Sequence, residues 1–221
     1  MAEWNKDLHA AIIRRCLSDV SRAVGNGADV NSTMTIKYTP LAEAILTENV
    51  SIVEYLLTRG AAVNKNSGAT LRGAVATENL EIVKLLIDHG AKVNKVGKDG
   101  LTALDYAVEK GNVEIARHLL NNGANVNYVK RKKLALLAKA ASRGHLEVTK
   151  LLLEKGANID DADEEGKSPL INAISSGHVD IAVHLVNAGA DVNKLEEDGT
   201  SPLFHAIPLR QVDFFKLLLD K

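Results

Sequence analysis

Residues 167–193 read KSPLINAISSGHVDIAVHLVNAGADVN. Ser168-Pro169-Leu170 has the form of a helix start, with a side chain able to cap and a proline in the first turn, where its missing N–H is not needed. Leu170, Ala173 and Ile174 then lie at i, i+3 and i+4, one apolar stripe over two turns. Gly177 breaks the pattern, and Val179, Ile181, Ala182, Leu185 and Val186 resume helical spacing after His178. Gly189 stands where a helix ends most cheaply in a left-handed residue. The stretch predicts two short antiparallel helices followed by an extended Ala-Asp-Val-Asn. Neither helix is long enough to persist alone in water.

The closing motif, Gly-Ala-x-Val/Ile-Asn/Asp, recurs from Gly27, Gly60, Gly90, Gly123, Gly156 and Gly189. Successive copies are 33 residues apart, except for one interval of 30 between Gly60 and Gly90. A seventh copy opens at Gly199-Thr200-Ser201-Pro202-Leu203 and is incomplete at Lys221. Helix start, mid-hairpin break and closing motif recur together at a period of about 33 residues, and on these features the chain resembles the ankyrin-repeat family over nearly its whole length. The resemblance implies an all-α fold: an ankyrin-repeat solenoid of helix-turn-helix units with projecting β-hairpin loops, about seven repeats in a single domain, 1–221. The units fall at 5–31, 38–64, 68–94, 101–127, 134–160, 167–193 and 200–221.

Composition agrees. Aromatic residues make up 4% of the chain, which suits thin helical layers in which each repeat packs on its neighbours. A formal net charge of −1 disfavours bulk attraction to nucleic acid. Cys16 is the only cysteine, so no intrachain disulfide forms, consistent with a reducing compartment. No apolar run has the length of a signal peptide or membrane span. The expected setting is cytoplasmic, with the nucleus as the alternative.

Individual units depart from the pattern in informative places. In the first, Leu8-His9-Ala10-Ala11 matches the family's Leu-His-x-Ala, and the resemblance implies that His9 bonds local backbone. Arg14, Arg15 and Cys16 suit a capping repeat with one wet face. The three residues lost between Gly60 and Gly90 fall in the connection at 65–68, predicting a stunted tip and a notch in the row. The fifth unit begins with the basic run Lys130, Arg131, Lys132 and Lys133, while the following connections, 160–165 and 195–198, are acidic. Neighbouring packed elements stand roughly 8–10 Å apart, about one Debye length at physiological salt, so basic and acidic tips would be only partly screened from one another. The last helix, Phe214-Phe215-Lys216-Leu217-Leu218-Leu219, is as apolar as an interior one, implying contact with a following domain or a second copy.

No enzyme signature emerges. Gly25-Asn26-Gly27 is a helix terminator and Gly97-Lys98-Asp99-Gly100 a turn, so neither is a phosphate loop. No His or Cys spacing offers a metal site. His145 and His178 share one slot in two repeats, which argues for packing or capping rather than catalysis. Asn31, Asn64, Asn94, Asn127 and Asn193 close successive motifs; the family includes substrates of an asparaginyl hydroxylase, but the favoured role is tying adjacent hairpins through backbone hydrogen bonds. No cofactor and no small-molecule substrate are expected.

What remains is surface. By resemblance, ankyrin domains bind partners with their hairpin tips and the exposed face of their first helices. The residue two after each motif Leu lies on that face with those three and four further on, and these sets vary between units while the Leu stripe stays apolar. The expected function is a non-catalytic scaffold binding another protein or peptide of mixed charge. Candidate contacts are Tyr38, Glu43, Lys98, Asp99, Leu101, Tyr106, Glu109, Lys110, Lys130, Arg131, Lys132, Lys133, Lys139, Arg143, Glu164, Glu165 and Asn172. Tyr106 is the single aromatic residue on the inner stripe and would be a hot-spot candidate. The alternative is a nuclear-import or phosphate- or phosphoinositide-binding module using 130–133.

Overall fold

The computed structural model describes residues 2–33, 38–65, 69–128, 135–163 and 165–221. They form two compact units, Met1–Tyr106 and Ala107–Lys221. The first contains α1 (Ala2–Ile13), α2 (Leu17–Gly25), α3 (Pro40–Leu46), α4 (Val50–Thr58), α5 (Ala69–Ala76) and α6 (Leu80–Asp88). Helix α7 (Ala103–Lys110) has residues in both. The second contains α8 (Val113–Asn121), α9 (Leu136–Ser142), α10 (Leu146–Glu154), α11 (Pro169–Ser175), α12 (Val179–Asn187), α13 (Pro202–Ala206), a 3-10 turn (Ile207–Leu209) and α14 (Val212–Leu219).

Each unit has two layers. In the first, α3 packs on α1 and α5, and α4 on α2 and α6. In the second, α11 packs on α9 and α13, while α12 packs on α10 and α14. The motif leucines Leu8, Leu41, Leu71, Leu137 and Leu170 are all buried, as are Ile52, Ile82, Ile115, Val148 and Ile181 of the second helices. Ala11, Ala44, Ala74, Ala140 and Ala173, three residues beyond each motif Leu, are fully buried, and their small side chains let neighbouring first helices approach closely. Helices α3 to α6 span only seven to nine residues each, so their stability comes from this stacking rather than from propensity.

Local signals start the helices. Thr39 Oγ1 accepts from the Ala42 amide at 3.2 Å and Ser168 Oγ from the Ile171 amide at 3.3 Å. Asn49, Asn79 and Asn112 cap the second helices the same way, accepting from Ile52, Ile82 and Ile115 at 3.0–3.2 Å. At the same slot His145 and His178 make no side-chain cap. Their rings instead fill the space above Gly111 and Gly144, where an added Cβ would fall within 2.7 Å of a ring atom. His145 Nε2 also stands 3.2 Å from the Glu109 carbonyl oxygen. Of packing and capping, the histidine slot uses packing.

Asn31, Asn64 and Asn127 each tie their hairpin to the next. Asn31 Nδ2 donates to the Gly60 carbonyl at 3.1 Å, and its Oδ1 accepts from the Ala62 amide at 2.7 Å. Asn64 repeats this with Gly90 and Lys92, and Asn127 with Gly156 and Asn158. Asp160 occupies the slot in the next copy and keeps half of the arrangement, accepting from the Asp191 amide at 3.0 Å. A carboxylate has no N–H to offer the Gly189 carbonyl.

No strand occurs among the described residues. Among the described residues, three projecting connections are turns that share one pattern of backbone bonds: the Gly97 N–H donates to Leu101 at 2.9 Å, that of Asp163 to Lys167 at 3.1 Å and that of Glu196 to Thr200 at 3.0 Å, while Gly100, Gly166 and Gly199 donate back to Gly97, Asp163 and Glu196. Phe204, Ile207, Val212 and Leu219 of the final repeat are exposed.

Candidate functional site

The first-helix face and the tips are joined in a way that spacing did not reveal. Tyr106, two residues past the motif Leu104, donates its hydroxyl to Asp99 Oδ2 at 2.8 Å. The other Asp99 oxygen accepts from the Leu101 amide at 3.0 Å, which shapes the turn. The Leu101 amide bond, with the Tyr106 hydroxyl and the Arg72 charge, holds the Asp99 carboxyl below its ordinary range. The bond to Asp99 raises the Tyr106 hydroxyl. Two further repeats use the same device: Asn172 Nδ2 lies 3.5 Å from Asp163 Oδ2, and His205 Nε2 lies 2.5 Å from Glu196 Oε1. The inner-face residue thus anchors the tip of its own repeat.

Beside the first of these anchors, within residues 1–106, lies a groove of about 760 Å³. Its lining includes the apolar or aromatic Tyr38, Ala42, Ile45 and Leu46 and the charged Lys65, Arg72, Lys98 and Asp99. Tyr38 is 49% exposed and Leu46 57%. Lys65 and Ala69, at either end of the shortened connection, both line it. The guanidinium of Arg72 lies over Gly97, where an added Cβ would collide with it. Above Gly73, in the body of α5, there is open space. Tyr38, Lys98 and Asp99 of this lining are among the residues selected from the sequence, whereas Lys65 and Arg72 are not.

The other selected residues separate into distinct groups. Glu109 and Arg143 form an ion pair on the first-helix face of neighbouring repeats. Glu165 is exposed and pairs with Lys167 at 2.6 Å, the main cause of a raised Lys167 ammonium pKa. Lys98, Lys110 and Asp99 are exposed, while Leu101, Tyr106 and Lys139 are half-buried. Lys130, Arg131, Lys132, Lys133 and Glu164 lie outside the described residues.

Two selections need correction. Glu43 and Asn172 are buried and serve the interior, not a partner. Asn172 Nδ2 donates to the carbonyls of Lys167 and Ser168, each at 3.2 Å. Glu43 Oε2 meets His9 Nδ1 at 2.7 Å. His9 is corrected with it, since its ring reaches into the next repeat instead of bonding local backbone. Its Nε2 lies 3.4 Å from Ser32 Oγ. Among the described residues no group of three or more His, Cys, Asp or Glu side chains could hold a metal ion.

Stacked two-helix repeats define the class: a repeat-built solenoid. A family model described as ankyrin repeats (3 copies) matches residues 8–96, 70–130 and 137–221, and the chain belongs to the ankyrin-repeat family. Among solved structures it is similar to the ankyrin repeat domain of Bcl-3, described as a unique member of the IkappaB protein family. The TM-score is 0.85 at 28% identity, over 96% of this chain and 97% of that one. No curated protein sequence matches the chain. Among the described residues no helix is long and apolar enough to cross a membrane.

Proposed function

We propose that the chain is a non-catalytic scaffold that binds a protein or peptide of mixed charge through its tips and the inner face of its first helices. The reading takes 1–221 as one ankyrin-repeat domain working in the cytoplasm. The observation that carries it is the anchoring of tips by inner-face side chains, Tyr106 to Asp99, Asn172 to Asp163 and His205 to Glu196. A surface loop held this way loses less freedom on binding, and a preorganised surface converts more of its contacts into affinity. The buried leucine stripe repeats while the side chains offered to solvent change from unit to unit, as a module selected for different contacts requires.

The test is affinity capture with mass spectrometry, using the intact chain and a Tyr106→Ala/Arg143→Ala/Glu165→Ala variant shown by circular dichroism to be folded. A partner recovered with the wild type and lost with the variant supports the reading. Recovery of the same partners by both chains overturns it.

A further inference from the structure

We propose that the groove between Tyr38, Lys65, Arg72 and Lys98 receives an acidic peptide segment carrying one apolar side chain, an inference that rests on the chain being a protein-binding scaffold. The groove volume of about 760 Å³ lies within the range of sites that enclose a ligand. Three cations and a single carboxylate, Asp99, line it. Asp99 is committed to its own turn, with one oxygen on the Leu101 amide and the other on the Tyr106 hydroxyl. Lys98 makes no ion pair among the described residues, so an incoming carboxylate need not displace one. Charge complementarity therefore selects an anionic occupant.

The apolar lining sets the second half of the chemistry. Tyr38 and Leu46 expose apolar surface next to Ile45 and Ala42, a pairing suited to an aliphatic or aromatic anchor. A bare phosphate or a nucleic-acid backbone would leave this apolar surface unused. Gly73 adds an independent observation. Glycine inside a helix weakens it relative to alanine, yet among the described residues nothing beyond its own helix and chain neighbours stands within 4 Å of where its Cβ would be. No packing constraint explains the glycine, whereas a bound chain lying close to α5 does. The equivalent position in the next repeat holds Tyr106, so the scaffold accepts a large side chain at this point.

The test uses an array of short fluorescein-labelled peptides in which Asp, Glu, Leu, Phe and Ser are randomised, read by fluorescence anisotropy against the full chain. Matched arrays with Asn and Gln replacing Asp and Glu, a single-stranded oligonucleotide and phosphatidylserine vesicles are run beside it. The expected result is salt-sensitive binding of acidic peptides containing Leu or Phe. Lys65→Glu/Lys98→Glu should weaken it by about tenfold or more, and Gly73→Tyr should abolish it while helicity is kept. Binding that is unchanged in both variants overturns the proposal, as does an array with no acidic binder. Oligonucleotide or vesicle binding stronger than that of every peptide, with the same dependence on Lys65 and Lys98, also overturns it. Failure here with capture still lost in the Tyr106→Ala/Arg143→Ala/Glu165→Ala variant removes the groove alone. Failure of both experiments removes the scaffold reading as well.

Discussion

His9 Nδ1 and Glu43 Oε2 stand 2.7 Å apart with both side chains buried, linking residues 34 positions apart in successive repeats. The other carboxylate oxygen, Glu43 Oε1, is buried without a hydrogen-bond partner among the described residues. Removing either partner orphans the other, at a cost of about 1–3 kcal/mol. A double-mutant cycle by urea denaturation on His9→Ala, Glu43→Ala and the double variant should therefore show the double costing less than the sum of the singles. Additive losses would mean the two side chains are not coupled.

At the Asp160 position the hairpin ladder has a gap that one atom can close. Asp160→Asn supplies the N–H missing opposite the Gly189 carbonyl and retains the acceptor used by the Asp191 amide. Thermal denaturation should show a gain of about 0.5–1.5 kcal/mol. The reverse change, Asn127→Asp, gives up the 3.0 Å bond to Gly156 and should lose a similar amount. A neutral result at both sites would assign the stacking energy to the apolar layer alone.

Glu48 is left-handed, with φ of 54°, at the mid-hairpin position where other repeats place Gly111, Gly144 and Gly177. A side chain in this conformation is strained by roughly 1–2 kcal/mol, partly offset by the greater chain entropy of glycine. Glu48→Gly should therefore raise the urea midpoint modestly. Gly144→Ala should lower it, because the conformation is strained and the new Cβ meets the His178 ring. A lower midpoint for Glu48→Gly would show that the strain there is already relieved by its surroundings.

The Tyr106–Asp99 anchor carries a sign at each end of the pH scale. Asp99 is lowered from 3.8, so its contribution is present above that value and lost as pH falls through the folded-state value below it. Tyr106 is raised from 10.0, so its contribution is present below that value and lost as pH rises through the folded-state value above it. Amide exchange at Leu101 should quicken in acid beyond its intrinsic rate. Tyr106→Phe should leave that acid response and remove the alkaline destabilisation. An alkaline loss of the same size in Tyr106→Phe would place its origin elsewhere.

Leu104 is 1% exposed, whereas Lys98 is on the surface. Leu104→Ala should cost about 2–5 kcal/mol as a core truncation, and Lys98→Ala a small fraction of that. Equal shifts in melting temperature would mean the register of the repeat is wrong.

Features that depend on near neighbours were readable before any coordinates. Ser168 caps its helix because the cap lies three residues from the amide it serves, and Leu170 and Ile174 are buried because four residues make a helical turn. Tyr38, Lys98 and Asp99 of the groove were legible as surface candidates, while the stunted tip expected at 65–68 lies, beyond Lys65, outside the described residues. His9 and Glu43 show why the rest was hidden. Their bond depends on the direction of two side chains in different repeats, and no periodicity encodes that. The Tyr106–Asp99 bond was closer to view: an acidic residue seven to nine positions before the inner-face residue recurs as Asp163 before Asn172 and Glu196 before His205. The absence of a cap at His178 could not be read, because imidazole can serve either purpose and only the side-chain-free backbone of Gly144, over which the ring sits, decides.

The bonds of Asn31 and Asn64 bracket the shortened repeat, and both are made at the Gly-Ala corner rather than at the projecting turn. Alignment at these two joints is therefore fixed at the foot of the projection. Evolution can trim or extend the part beyond the corner without disturbing the stack, and the loss of three residues after Gly60 is an instance of that freedom. Variation in length, not only in side-chain identity, is thereby available to a family that must meet many different surfaces.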